Sequence, residues 1–355
     1  MIRKTIIRKT PTAGSRPATR RTFLRGALAA SAGVMATPAL ALSVEDFVRL
    51  KLHEPFPSMK SVNGRSNFEL IDALRVPGDA QYHPCREAYP VAGVPTGKSK
   101  MLQDWQSWRH YPGTYRDILL YAPTGTASKP AKMPVMVFND GLIYADPEGP
   151  LRATVVLDNL IHSGEIPAMA AIFVMPGGVT EKRRQISGAD SDPADRAQRS
   201  IEYDSLSPRY GRFLVEEVLP LAERELGVSF SQNPDSRAIC GISSGGICAF
   251  NAAWHHPDQF RKVVSHCGSF VNIRGGHNYP YLIRSTQRKP LRVYLTTGTA
   301  DGNIIFGSWP LANRQMAAAL DYAGYDYRFE MGEGGHSLFH GGALFAETVR
   351  WLWRS

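Results

Sequence analysis

From Tyr115 to the C-terminus the apolar positions follow two alternating rhythms. Met133 to Asn139 and Met169 to Met175 are nearly continuous apolar runs, the pattern of strands buried on both faces of a sheet. Arg116 to Tyr121, Ala238 to Cys240, Lys262 to His266, Leu291 to Thr296 and Tyr327 to Met331 also read as strands. Between them lie stretches of helical character: Leu151 to Ser163, Ser207 to Leu226, Ile247 to Trp254, Pro310 to Ala323 and about Ala343 to Trp353. Pro220 has no N–H to donate and predicts a kink or break in the second of these. Pro310 at the start of the fourth and Gly324 just past its end are the usual punctuation of a helix. Strands alternating with helices predict the α/β class, with a mainly parallel central sheet, helices on both faces, and ligands at the carboxyl ends of the strands. Leu42 to Lys100 lacks either rhythm and has many Pro and Gly. It predicts an irregular extension packed over the core, with a short helix from Val44 to Leu52.

Charge changes the picture mainly at the N-terminus. Eight of the 41 Lys and Arg fall in Met1 to Ala41, which has no acid; the rest of the chain carries 33 basic against 32 acidic residues. A near-neutral body gives no reason to expect nucleic acid or an anionic surface as partner. Thr19-Arg20-Arg21-Thr22-Phe23-Leu24-Arg25 precedes an Ala-rich apolar stretch that ends in Ala39-Leu40-Ala41. This order of basic, apolar and small-residue regions is similar to a twin-arginine export signal. It implies recognition by the twin-arginine export machinery, cleavage near Ala41, and a periplasmic or secreted product. The apolar part is short and interrupted by Pro38, so no stable membrane span is expected. The division is then an export signal at 1–41, an irregular extension at 42–110 and an α/β domain at 111–355.

Four cysteines, Cys85, Cys240, Cys248 and Cys267, are too few and too unevenly spaced for a disulfide scaffold, and no C-x-x-C suggests zinc. Cys240 and Cys267 read as buried apolar thiols in core strands. His83-Pro84-Cys85 reads as an ordinary loop, because no second His/Cys pair stands at ligand spacing.

Candidate chemistry centres on Arg237 to Gly246, R-A-I-C-G-I-S-S-G-G, a Gly-x-Ser-x-Gly between a predicted strand and a predicted helix. That context suits a nucleophile elbow with Ser243 exposed on a strained turn. A serine hydroxyl needs a base and a group to orient that base. Chain order in such folds is Ser, acid, His. Asp301 follows the strand Leu291 to Thr296, and His336 follows the last strand in a Gly-rich loop. His255, His256 and His266 are rival bases, and Asp321 and Asp326 rival acids. Oxyanion donors are expected in the backbone N–H groups of Ser244, directly after the nucleophile, and of Leu142 in Asn139-Asp140-Gly141-Leu142. Such a mechanism uses no cofactor and no metal.

The chain resembles the enterochelin-esterase-like branch of the esterase D type α/β hydrolases, which also includes feruloyl esterases and mycolyltransferases. The matching residues are Tyr111-Pro112-Gly113-Thr114-Tyr115-Arg116-Asp117, Tyr121-Ala122-Pro123, Asp140-Gly141-Leu142, Leu157-Asp158-Asn159-Leu160, Val174-Met175-Pro176-Gly177, Ile201-Glu202-Tyr203, Glu216-Glu217-Val218-Leu219-Pro220, the elbow, and Gly335-His336. The resemblance implies an α/β-hydrolase fold and a serine ester hydrolase acting on a small-molecule or glycan ester through Ser243, His336 and Asp301. An acyltransferase and a non-catalytic binding protein on the same scaffold are the alternatives. Glu202 and Tyr203 are family marks expected to border the pocket, or else Glu202 pairs structurally with Arg199 or Arg209. Trp309, Phe306 and the loop Thr180 to Asp204 are also expected at the pocket border. Enterochelin esterases proper carry a β-rich N-terminal domain, which Leu42 to Lys100 is too short and irregular to match.

Overall fold

Alternate residues of the predicted strand around Val137 serve two different cores. Val135 and Val137 point into one apolar cluster and Met136 and Phe138 into another, as the two-residue period of a strand buried on both faces requires. The structure is a computed structural model and describes residues 76–125, 132–183 and 191–355. The export signal at 1–41 and the helix expected at Val44 to Leu52 lie outside the described residues. The described residues belong to one compact unit, Val44–Ser355.

The main sheet contains β1 (Lys98–Gln106), β2 (Tyr115–Ala122), β3 (Val135–Asn139), β4 (Ala170–Val174), β5 (Arg237–Ile242), β6 (Lys262–His266), β7 (Arg292–Gly298) and β10 (Asp326–Gly332); β8 (Asn303–Ile304) and β9 (Gly307–Ser308) form a separate small hairpin. The strand order is β1-β2-β4-β3-β5-β6-β7-β10. The pairs β1–β2 and β2–β4 are antiparallel, and all the rest are parallel. Helices Arg209–Phe213, Leu219–Leu226, Ser244–His255 and Trp309–Tyr322 supply the first core; Ala153–His162 and Phe345–Trp353 supply the second. The mainly parallel, doubly covered sheet agrees with the sequence-based expectation.

Two elements differ from that expectation, and a third bears it out in an unforeseen form. Lys98–Gln106, placed in or beside an irregular extension, is an edge strand of the sheet. Its partly buried apolar residues, Leu102 and Trp105, stand three apart instead of two because a bulge falls between them, with Asp104 at φ 51°. The bulge breaks the period that betrays a strand. Pro193–Tyr203, expected as loop, is a helix whose buried side is largely polar, including Asp195, Gln198, Ser200 and Glu202. It carried no apolar stripe to read. Near Pro220 the α-helix is interrupted as expected, though the chain stays helical. The turn before it, Leu214–Val218, is π-helical, and the α-helix resumes at Leu219. A widened turn accommodates a residue with no N–H to donate.

All four cysteines are free. Cys240 is buried in β5, whereas Cys267 lies one residue beyond β6 at φ 48°. No helix among the described residues is long and apolar enough to cross a membrane.

Candidate active site

Ser243 sits between the end of β5 and the helix Ser244–His255 at φ 58°, ψ −124°, a region that residues with a side chain rarely occupy. Neighbouring backbone holds it there. Its N–H donates to the His266 carbonyl at 2.9 Å, and its carbonyl accepts from the Ser269 N–H at 3.0 Å. A Cβ at Gly241 would lie 2.2 Å from the Gly245 carbonyl oxygen. The turn therefore closes only with glycine at that position.

Asp301 follows β7 and His336 follows β10, at the same end of adjacent parallel strands. His336 Nδ1 lies 2.6 Å from Asp301 Oδ1, and His336 Nε2 lies 2.8 Å from Ser243 Oγ. The structure thus brings together the three residues that the chain order singled out. Burial works to raise the Asp301 carboxyl, but the His336 imidazole beside it, with hydrogen bonds from His336, Thr297 and the Gly302 N–H, outweighs burial and holds it below the usual carboxylate range. Thr297 Oγ1 donates to Asp301 Oδ2 at 2.6 Å and the Gly302 N–H to Oδ1 at 2.6 Å. The carboxylate is fixed as an acceptor, so the bond to His336 orients the ring with its Nε2 toward Ser243. The ring keeps 12% of its side-chain surface exposed.

The rival groups are engaged elsewhere. His266 is buried with Nδ1 2.9 Å from the Tyr144 hydroxyl, and burial, aided by His340, pushes it down to about 3. Burial likewise takes His255 to about 4, with Lys289 and His256 adding to the effect. His256 Nε2 contacts the Pro208 carbonyl. Asp326 pairs with Arg292 and Arg354, and Asp321 faces the Tyr327 hydroxyl.

The turn after β3 stands beside the serine. Asp140 is left-handed at φ 51°, and a Cβ at Gly141 would lie 2.3 Å from the Phe173 backbone. The Asp140 carboxylate is forked by Arg199 at 2.9 and 2.7 Å, and its N–H donates to the Tyr203 hydroxyl at 3.2 Å. The Leu142 N–H points at Met175 Sδ, 3.3 Å away, a weak acceptor. The Ser244 N–H belongs to the first turn of its helix, where the helix itself offers no carbonyl.

Of the two expectations for Glu202, the buried structural pair holds and the pocket border does not, and Tyr203 is buried with it. They are 1% and 0% exposed. Glu202 makes a two-pronged ion pair with Arg116 at 2.7 and 3.0 Å, and also accepts from Gln198 and the Gly177 N–H. Neither Arg199 nor Arg209 is its partner. Tyr203 supports the Asp140 turn from below. Trp309 does lie at the site, its ring edge-on to His336 with centroids 5.6 Å apart. Phe306 packs in the core.

Sequence reasoning missed Ser269. Its Oγ accepts from Trp309 Nε1 at 3.2 Å and lies 3.3 Å from Ser243 Oγ. Gly268-Ser269-Phe270 follows β6 with no motif to mark it. Cys267, Asp301 and His336 place ligand atoms within 4.8 Å of one another, the one metal-ligating cluster among the described residues. Two of its members are already spent on each other in a 2.6 Å hydrogen bond, and burial raises the Cys267 thiol well above its ordinary range. The donor set suits the serine–histidine–aspartate chain better than a metal.

Residues 110–351 match the family model described as "Putative esterase". The chain belongs to this Esterase family. It is 25% identical over 302 residues to the iron(III) enterobactin esterase of Dickeya dadantii, an alignment covering 80% of this chain and 62% of that protein. The chain therefore spans less than two thirds of that relative. Among solved structures, the enterobactin esterase of Shigella flexneri in the presence of 2,3-dihydroxy-N-benzoyl-glycine superposes with a TM-score of 0.56 at 20% identity, covering 76% of this chain and 62% of that one. A ferulic acid esterase of the fungus Anaeromyces mucronatus gives a TM-score of 0.55 at 15% identity over 79% and 98% of the two chains. The chain has the α/β-hydrolase fold of these proteins.

Proposed function

We propose that this esterase is a serine carboxylester hydrolase working through an acyl-enzyme. The observation that carries the reading is the unbroken chain from Ser243 Oγ through His336 to Asp301, at 2.8 and 2.6 Å, with Ser243 and His336 partly exposed. Ser243 attacks the ester carbonyl while His336 Nε2 takes its proton and then passes it to the departing alcohol. Asp301 holds the imidazole in the tautomer that leaves Nε2 free to accept. The developing oxyanion is held by the N–H groups of Leu142 and Ser244, displacing the weak contact of the former with Met175. Water, activated by the same histidine, then clears the acyl group.

The substrate in this reading is a small-molecule or glycan ester. The names of the relatives, for enterobactin and ferulic acid esters, favour including aryl-bearing esters in any trial panel. Export through the twin-arginine route is part of the proposal and rests on Thr19 to Arg25 and the small residues ending at Ala41. A mature N-terminus near residue 42 in exported protein supports it, and an intact N-terminus there refutes it.

The test is hydrolysis of p-nitrophenyl esters of graded acyl length by wild type and Ser243→Ala. Loss of turnover in the variant is expected, and equal rates reject the mechanism. Adding alcohol acceptors to the same reactions separates hydrolysis from acyl transfer: new ester products in place of free acid show transfer.

A further inference from the structure

His336 lies on a loop, Gly332-Glu333-Gly334-Gly335-His336-Ser337, in which three of six residues are glycine. Such a sequence has more backbone freedom to lose than any other kind, so something must hold it. One side is tied to the turn that carries Asp301, through Thr299 N–H to the Gly332 carbonyl at 2.8 Å and Ala300 N–H to the Gly334 carbonyl at 3.2 Å. The other side is held by a segment that precedes the residues matched by the family model. Asp79, in the 3-10 turn Pro77–Gln81, is 3% exposed. Its Oδ1 accepts from the Gly335 N–H at 3.2 Å and from Ser337 Oγ at 2.7 Å, the two residues flanking His336. Its Oδ2 accepts from the Val76 N–H at 3.1 Å, which anchors the carboxylate in its own turn. The contact is close: a Cβ at Gly334 would lie 2.3 Å from Asp79 Oδ1. Tyr82 adds a second tie, its hydroxyl accepting from the Glu333 N–H at 2.8 Å while its ring lies 4.8 Å from that of His340.

We propose that Asp79 is a positioning residue that fixes His336 through Gly335 and Ser337, so that the segment ahead of the family-matched region completes the site. This rests on the reading of His336 as the base. A carboxylate accepting from a backbone N–H and a hydroxyl makes charge-assisted bonds. Spanning both neighbours of one residue, it restrains the position of the imidazole at both ends. Misplacement by about 1 Å costs about 100-fold in rate.

The experiment measures kcat and KM for p-nitrophenyl acetate in Asp79→Ala, Asp79→Asn and Ser337→Ala, each made in wild type and in His336→Ala. Asp79→Ala is expected to lower kcat about 30-fold with KM within about twofold. Asp79→Asn, whose amide oxygen still accepts, loses less, and Ser337→Ala about threefold. In the His336→Ala background none of the three costs anything further, because their effect passes through a ring that is gone. Unchanged kcat in the wild-type background overturns the proposal. So does an equal loss in both backgrounds, which marks a general role in folding. Should Asp79→Ala fail to fold, the other two variants decide by the same criteria. Ser243→Ala in the same series separates the two readings: an active Ser243→Ala rejects the triad itself, whereas an inactive one alongside undiminished Asp79 and Ser337 variants rejects the positioning role alone.

Discussion

Asp301 with His336 and Glu202 with Arg116 are two carboxylates, each within hydrogen-bonding distance of a nitrogen base, at 2.6 Å in the first pair and 2.7 and 3.0 Å in the second. Both are supported by further donors. They differ in access. Arg116 and Glu202 have no exposed side-chain surface, and every contact the carboxylate makes is internal. His336 keeps 12% of its side-chain surface exposed, and its Nε2 lies 2.8 Å from Ser243 Oγ. The partner differs too: guanidinium does not give up its proton in proteins, whereas the two ring nitrogens of an imidazole can accept a proton at one and donate at the other. The same bond length therefore makes a strut in one place and, in the proposed mechanism, serves a proton carrier in the other.

The largest effects expected from substitution separate these roles. Ser243→Ala should lower kcat by about 10⁴ to 10⁶, and Asp301→Asn by about 10⁴ by favouring the wrong tautomer. Both should leave thermal unfolding nearly unchanged. Glu202→Ala should do the reverse, leaving Arg116 buried and unpaired at a cost of about 3–5 kcal/mol, with kcat per folded molecule close to wild type. Chemical denaturation beside active-site titration checks this, and a Glu202 variant that is stable but inactive would break the comparison.

A smaller effect concerns His266, a buried histidine with no carboxylate beside it. Its folded value of about 3 lies below the ordinary 6.5, chiefly through burial. Between those two values the unfolded chain binds more protons than the folded one, so stability is present above about pH 6.5 and is lost as pH falls toward 3. From pH 7 to pH 5 the loss from this group is about 2 kcal/mol. Denaturant midpoints across that range should fall in wild type and fall less in His266→Gln; parallel curves contradict the assignment.

Much of this was legible in the sequence where one physical constraint acts on consecutive residues. Continuous apolar runs gave β3 and β4, and the chain order after each strand placed Ser243, Asp301 and His336. Legibility failed where the constraint came from elsewhere in the fold. The bulge at Asp104 shifts Trp105 out of the period set by Leu102 and hides β1. The polar buried side of Pro193–Tyr203 meets Arg116, Gly177 and Asp140, residues dispersed along the chain. Ser269 and Asp79 reach the site through a hydroxyl and a carboxylate whose partners are 26 and more than 250 residues away. The same distance in sequence hid the partner of the buried Glu202, which is Arg116, 86 residues upstream, and not Arg199 or Arg209.

The most direct test of the central claim is to trap the acyl-enzyme. Wild type treated with a fluorophosphonate or a slowly deacylating aryl ester, then digested and mapped by mass spectrometry, should carry one adduct, on the peptide containing Ser243. Ser243→Ala should carry none, and Asp301→Asn should acquire it far more slowly. Ester turnover by wild type without any adduct on Ser243, or an adduct on another residue at the same rate in Ser243→Ala, would contradict it.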